Sequence, residues 1–167
     1  MSKDFQLKFY PDSVLRKHSK PVADMNSTIR NLIDGMTKIM YRNTGIGLAA
    51  PQVGVLKRVI IADIGDGLIS LANPVIIQHD GQDQLEEGCL SLPNIQVNIT
   101  RNQSILVHGI DLQGKETDLE LNGLMARVIQ HEIDHLNGVL IIDYASTVEK
   151  YLIHQQIADS QRHRNLL

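Results

Sequence analysis

Gln130-His131-Glu132-Ile133-Asp134-His135 is the stretch around which the chain is organised. His131 and His135 are four residues apart, which on a helix places them on one face, a turn apart. Two neutral imidazoles so spaced can bind one metal ion. Glu132 leaves the helix about 100° around from His131, so it lies beside such a metal rather than on it. That is where a general base acting on a water at the metal belongs. The motif is short, and alone it also fits two hydrogen-bonded histidines and a solvated glutamate on an ordinary helix. The flanking pattern bears on the choice. Asn122 is a fair N-cap for a helix running to about Asn137, with Gly138 as its stop. Leu124, Met125, Val128, Ile129, Ile133 and Leu136 cover more than one face, so the helix is buried. Histidines on a buried helix need polar partners or a metal.

Upstream of this helix the period is two. Val59–Asp63 and Ile69–Asn73 read as strands around the turn Gly65-Asp66-Gly67, and Val75–Gln78 is a further β-like run after Pro74. Ile95–Ile99 alternates as a half-buried strand. Ser104–Ile110 and Thr117–Leu121 form a hairpin around Asp111-Leu112-Gln113-Gly114. Ile29, Leu32, Ile33, Met36, Ile39 and Met40 mark an amphipathic helix from about Ser27, its expected N-cap, to Tyr41. Asp12 or Ser13 caps a short helical piece through Arg16. Gly45–Gly54, rich in glycine and alanine, reads by composition as a tight surface loop. Val139–Ile142 is a short apolar run. Val148 to about Arg162 is a last helix, with Leu152, Ile153 and Ile157 inside, and the tail from Gln161 frays. Strands in a block followed by helices predict an α+β fold rather than a parallel sheet. The expected architecture is antiparallel sheets around the central buried helix, with a C-terminal helix.

The length, 167 residues, suits a single domain spanning 1–167, able to bury about 70% of its unfolded surface. The net charge of −3, with no basic patch, argues against nucleic acid as a partner. No apolar run approaches the roughly 20 residues that span a bilayer. Met1–Tyr10 is polar and mixed in charge, with no signal-peptide core, so the expected location is cytoplasmic. The single cysteine, Cys89, allows no intrachain disulfide, which suits a reducing compartment.

A catalytic site of the zinc type needs three protein ligands and an open position. His131 and His135 supply two. Cys89 is the one soft candidate for the third, beside a glycine that lets backbone approach. Glu149, His154 and His163, downstream of the motif, leave open a metallopeptidase with its third ligand there. A closed structural metal module is disfavoured by Glu132 and by the single cysteine. Such a catalytic site attacks a carbonyl, and the oxyanion then needs donors. The Gln52 amide and a backbone N–H near Cys89 are available.

Gly45-Ile46-Gly47-Leu48-Ala49-Ala50-Pro51-Gln52, Glu87-Gly88-Cys89-Leu90-Ser91 and Gln130-His131-Glu132-Ile133-Asp134-His135 resemble the three signature motifs of peptide deformylase, in order and separation. The similarity runs over nearly the whole chain. It implies removal of the formyl group from the N-terminal formyl-methionine of nascent polypeptides, with release of formate. It implies ferrous iron on Cys89, His131 and His135, for which Zn2+, Ni2+ or Co2+ can substitute. Glu132 is then the general acid/base, and Gln52 and the Leu90 backbone N–H stabilise the oxyanion. Gly47 and the backbone around Ile46 would line the substrate groove. Ile46, Glu87, Leu124, Arg127, Val128 and His131 would border the methionine pocket, and Arg101 falls where the family often has an arginine near the peptide. The implied partners are N-formylmethionyl nascent peptides near the ribosome exit, with no sequence-specific nucleic-acid binding and no membrane. Arg42-Asn43-Thr44 and Ile141-Ile142-Asp143-Tyr144 depart from many bacterial members, while the C-terminal helix fits the subtype with a helical tail.

Overall fold

In the computed structural model, residues 5–164 are described. Seven strands and three helices follow one another as α1 (Ser27–Arg42), β1 (Gly47–Ala49), β2 (Val59–Ala62), β3 (Ile69–Asp80), β4 (Asp83–Cys89), β5 (Leu92–Arg101), β6 (Ser104–Ile110), β7 (Glu116–Asn122), α2 (Gly123–Leu136) and α3 (Thr147–Arg164). Short 3-10 turns lie at Ser13–Arg16, Ala50–Val53 and Ile141–Tyr144. β1-β2-β3-β6-β7 form one antiparallel sheet and β4-β5 a separate hairpin. The fold is α+β, as the sequence predicts.

The larger sheet is covered on both faces. Along β2, Val59 and Ile61 pack with Leu32, Ile33, Met36 and Met40 of α1. Ile60 and Ala62, one residue out of phase, pack with Met125, Ala126 and Ile129 of α2. Strand side chains alternate between faces, so burial of all four β2 residues requires a helix on each side. A third cluster joins Leu92, Ile95, Val97 and Ile99 of β5 to Leu140–Ile142 and Ile153 of α3. α2 is thus held between the sheet and the β4–β5 hairpin, as a buried helix must be.

Several local expectations change. Asn26, not Ser27, caps α1, its Oδ1 accepting from Ile29 N at 3.1 Å. Asn122 stands at the N-cap of α2 as expected, but its side chain makes no capping bond: it also closes β7, and its Oδ1 accepts from Ser104 Oγ. Ile69–Asn73 and Val75–Gln78 are one strand. A bulge at Asn73, with φ +51°, absorbs Pro74 without breaking the strand. The Asn73 side chain binds both backbone groups of Val22, at 2.8 Å each. Gly45–Gly54 is not a surface loop. Gly47–Ala49 is an edge strand, and Leu48, Ala49 and Ala50 are fully buried. The Val139–Ile142 run ends in a 3-10 turn. In α3, Ile153 is buried and Ile157 half-buried, but Leu152 points outward at 59% exposure. Of the tail expected to fray, 165–167 lie outside the described residues. Gly138 does end α2, at φ +72°, where a Cβ would press on the Arg16 carbonyl.

Candidate metal centre and active site

α2 brings His131 to the floor of a groove with His135 buried one turn further along, and the end of β4 brings Cys89 beside them. His135 Nε2 lies 3.3 Å from Cys89 Sγ and 3.2 Å from His131 Nε2. All three donor atoms lie within 4.8 Å of one another. Bonds of about 2.0–2.3 Å in a tetrahedral site put ligand atoms roughly 3.3–3.6 Å apart, so this spacing fits a shared metal ion. The electrostatics fit a cation as well. Burial lowers the proton affinity of His131, but hydrogen bonds to Cys89 and Glu87 and the Glu132 charge outweigh it and raise its pKa well above the ordinary range. Burial and the neighbouring His131 push His135 well below that range. Of the two imidazoles, His131 is therefore the one that favours a proton.

His131 Nδ1 lies 3.0 Å from Glu87 Oε2, which fixes the ring and leaves Nε2 pointing at the other two donors. Glu87 is itself held. Arg101 grips it with Nε and Nη2 at 2.8 and 2.9 Å, and Arg127 Nη1 donates to it at 2.7 Å. Burial pushes the Glu87 carboxyl up, but bonds and charge from Arg101 and His131 outweigh it and bring it down to about 2. On the far side, Arg101 Nη1 donates to Asp134 Oδ2 at 2.7 Å, an oxygen that also accepts from Tyr144 Oη.

Glu132 follows His131 into the same groove. It is 3% exposed, and its Oε2 has no hydrogen-bond partner. Burial raises its pKa to about 7, against the opposing pull of His131 and Arg101. A carboxyl poised near neutrality can take up and release a proton. Gly47 makes room for it: a Cβ there would lie against the Glu132 carboxylate and 2.7 Å from Val128 Cγ1. Gln52 is oriented by Ala49 N–H, which must face its Oε1 at 2.8 Å. Nε2 is thereby turned toward Cys89 Sγ at 3.6 Å and Ser91 Oγ at 3.1 Å.

The groove holds about 550 Å³. Ile46, Gly47, Gln52, Glu87, Leu90 and Leu124 border it, as do Arg127, Val128, His131, Glu132 and Cys89. Arg101 does not: its guanidinium is turned into the network behind the triad, which corrects its expected place beside the peptide. The strand alternation signalled this, since Arg101 follows Val97 and Ile99 on the inward face of β5. Arg127 borders the groove, but its guanidinium donates to Glu87, Asp83 and the Ile99 carbonyl rather than into it. Two of the downstream alternatives for a third ligand are engaged elsewhere. Glu149 accepts from Ser146 N and the His154 ring packs on Tyr10; the His163 side chain is outside the described atoms. Ser91, Asp134 and Tyr144 support the site through their bonds to Gln52 and Arg101, a role the motifs do not single out; Leu7 and Phe9, which border the groove, carry no local sequence signal.

The sequence model of the family described as "Polypeptide deformylase" matches residues 5–151. The chain belongs to the polypeptide deformylase family. Members of this family are hydrolases that remove the formyl group from nascent peptides. The peptide deformylase of Thermodesulfovibrio yellowstonii is 45% identical over 156 residues, covering 90% of this chain and 94% of its own. That of Thermotoga maritima is 42% identical over 159 residues, covering 95% and 97%. Among solved structures, the peptide deformylase from Legionella pneumophila superimposes with a TM-score of 0.91 at 34% identity, over 98% of each chain. The Ehrlichia chaffeensis deformylase in complex with actinonin does so with 0.91 at 34% identity, over 97% of this chain and 99% of that one. As family members are metalloenzymes, the Cys89–His131–His135 triad is the cluster of metal-ligating type among the described residues. No helix among them is long and apolar enough to cross a membrane.

Proposed function

We propose that this chain, as one catalytic domain over residues 1–167, hydrolyses the formamide of N-formylmethionyl nascent peptides in the cytoplasm, near the ribosome exit, with ferrous iron held by Cys89, His131 and His135. The observation that carries the reading is the convergence of this triad with a buried, unpartnered Glu132 on one groove. A divalent metal held there supplies Lewis acidity and an open position at which a water is easier to deprotonate.

Glu132 takes the proton of the attacking water and hands it to the departing amine nitrogen as the C–N bond breaks, releasing formate. Its desolvated carboxyl, near pKa 7, suits both halves of that transfer. Oxygen charge develops as the carbonyl becomes tetrahedral. The Gln52 Nε2, held in place by Ala49, and the Leu90 backbone N–H donate to it. Glu87 holds His131 in the tautomer that ligates through Nε2. The peptide lies along β1, a sheet edge with β2 on its other side, as an added strand beside Ile46 and Gly47. Its methionine side chain packs on Ile46, Leu124 and Val128.

The crowding of Gly47 against Glu132 and Val128 favours a formyl carbon, which bears only hydrogen. An extra methyl in a stiff site costs about 1–3 kcal/mol, and a chain continuing on that side costs more. The test is a set of peptides beginning with formyl-Met, acetyl-Met and formyl-Gly, together with casein. Formate release from the first should far outpace the rest. Internal cleavage of casein, or equal release of acetyl and formyl, would replace this reading with the metallopeptidase.

A further inference from the structure

Beyond the catalytic groove lies a second cavity of about 240 Å³. Phe9, Pro93 and Asn94 border both spaces, so the two adjoin along that ridge. We infer that the groove continues past Phe9 into this cavity, which takes an uncharged, apolar side chain of the formylated peptide about four to six residues from its N-terminus. The inference rests on the deformylase reading and extends it to the length and composition of the substrate.

Three observations carry it. The ridge is built, not incidental. Lys8 N donates to the Gln52 carbonyl at 2.7 Å and Tyr10 N to the Ser91 carbonyl at 2.9 Å. Phe9, between them, is pinned to both loops that border the triad and is 42% exposed. Asn94, at φ +62°, is tied from behind by Gln156 Nε2 of α3, which donates to its carbonyl at 3.1 Å.

Reach fits a peptide. Cys89 is the cross-strand partner of Leu92, two residues before Asn94, so the ridge lies within about 12 Å of the triad. An extended peptide at about 3.3 Å per residue covers that in about four residues, which brings the fourth to sixth residues to the ridge and past it.

Chemistry sets the preference. Leu92, Ile95 and Ile157 supply an apolar floor, and Ser91, Gln156 and Ser160 an uncharged rim; among the described residues none that borders the cavity carries a charge. A carboxylate or ammonium placed there would lose water without gaining a partner, whereas an apolar side chain loses nothing.

The experiment measures kcat/KM for formate release from formyl-Met peptides of two to eight residues. A leucine or an aspartate is moved from the third to the seventh position. A rise of about fivefold or more is expected once the peptide reaches the cavity. It should appear mainly in KM, with leucine favoured over aspartate there and not at neighbouring positions. Ser160→Trp, on the exposed side of α3, should bring the ratio of long-peptide to short-peptide kcat/KM close to one, and Ser160→Ala should preserve the rise. A flat length dependence, or a rise that Ser160→Trp leaves intact, overturns the inference while the deformylase reading stands. Absence of formate from every formylated peptide overturns both.

Discussion

Glu87 Oε2 lies 3.0 Å from His131 Nδ1 while two nearly buried arginines, Arg101 and Arg127, hold the same carboxylate from the other side. The His131 ring is therefore aimed by an ion-pair cluster that joins the β4–β5 hairpin to α2. Glu87→Gln should weaken metal binding by about 10–100-fold, as removal of such supporting groups does elsewhere. Glu87→Ala should also destabilise the protein by about 3–5 kcal/mol, because it strands buried guanidinium charge. Competition with a chelator reads the first effect and urea unfolding the second. Unchanged metal affinity in Glu87→Gln would remove Glu87 from the account.

The same cluster makes stability depend on acid. Glu87 sits at about 2 when folded and near the ordinary carboxylate value when unfolded. The unfolded chain therefore binds the proton first as pH falls. The cluster's contribution is fully present above about pH 4.5 and is lost between there and pH 2, on the order of 3 kcal/mol in all. Unfolding free energy of wild type and Glu87→Gln should differ near neutrality and converge toward pH 2. Parallel curves across that range would contradict the assignment.

Gly47 and Glu132 come so close that even a methyl group cannot fit between them. Gly47→Ala should displace the Glu132 carboxylate and cost about 100-fold in activity, the usual effect of a misplacement near 1 Å. The metal should remain bound, since the atoms nearest the added carbon belong to Glu132 and Val128 rather than to Cys89, His131 or His135. Turnover within twofold of wild type would mean that Glu132 has slack the packing denies.

Glu132→Gln keeps the shape of the side chain and loses the basic oxygen. It should retain metal and lose activity by about 100- to 10,000-fold, the scale of general acid–base catalysis. Cys89→Ala and His135→Ala should lose the metal itself. Metal content per chain, measured beside rate, separates the two classes. Wild-type turnover in Glu132→Gln at neutral pH would show that another group moves the proton.

Iron-loaded protein should turn over faster than zinc-loaded protein and decay in air. A thiolate-ligated ferrous centre with an open position reacts with oxygen, while zinc has no redox chemistry. Preparations with defined metals, assayed with and without air, would decide it. Equal and oxygen-indifferent rates would count against iron.

The sequence by itself determined the main features that depend on neighbours along the chain. The four-residue spacing of His131 and His135, the apolar faces of α2 and the alternation in β5 are local periodicities, and each appears as read. So does the adjacency of Glu132 to His131, because a helix converts sequence offset into angle. The resemblance of three short motifs named the family. What only the tertiary structure decided is which distant groups meet. Cys89 reaches His135 across 46 residues because the β4–β5 hairpin folds over α2, and no local pattern encodes that packing. Glu87 and Arg101 pair because the register sets Glu87 opposite Val97, so that Arg101, four residues on, shares its inward face and its long side chain reaches back to the carboxylate. Gly47 belongs to the site because β1 is an edge strand laid against α2. Composition reads its segment as a surface loop, since glycine and alanine look alike whether they border water or leave room for another side chain.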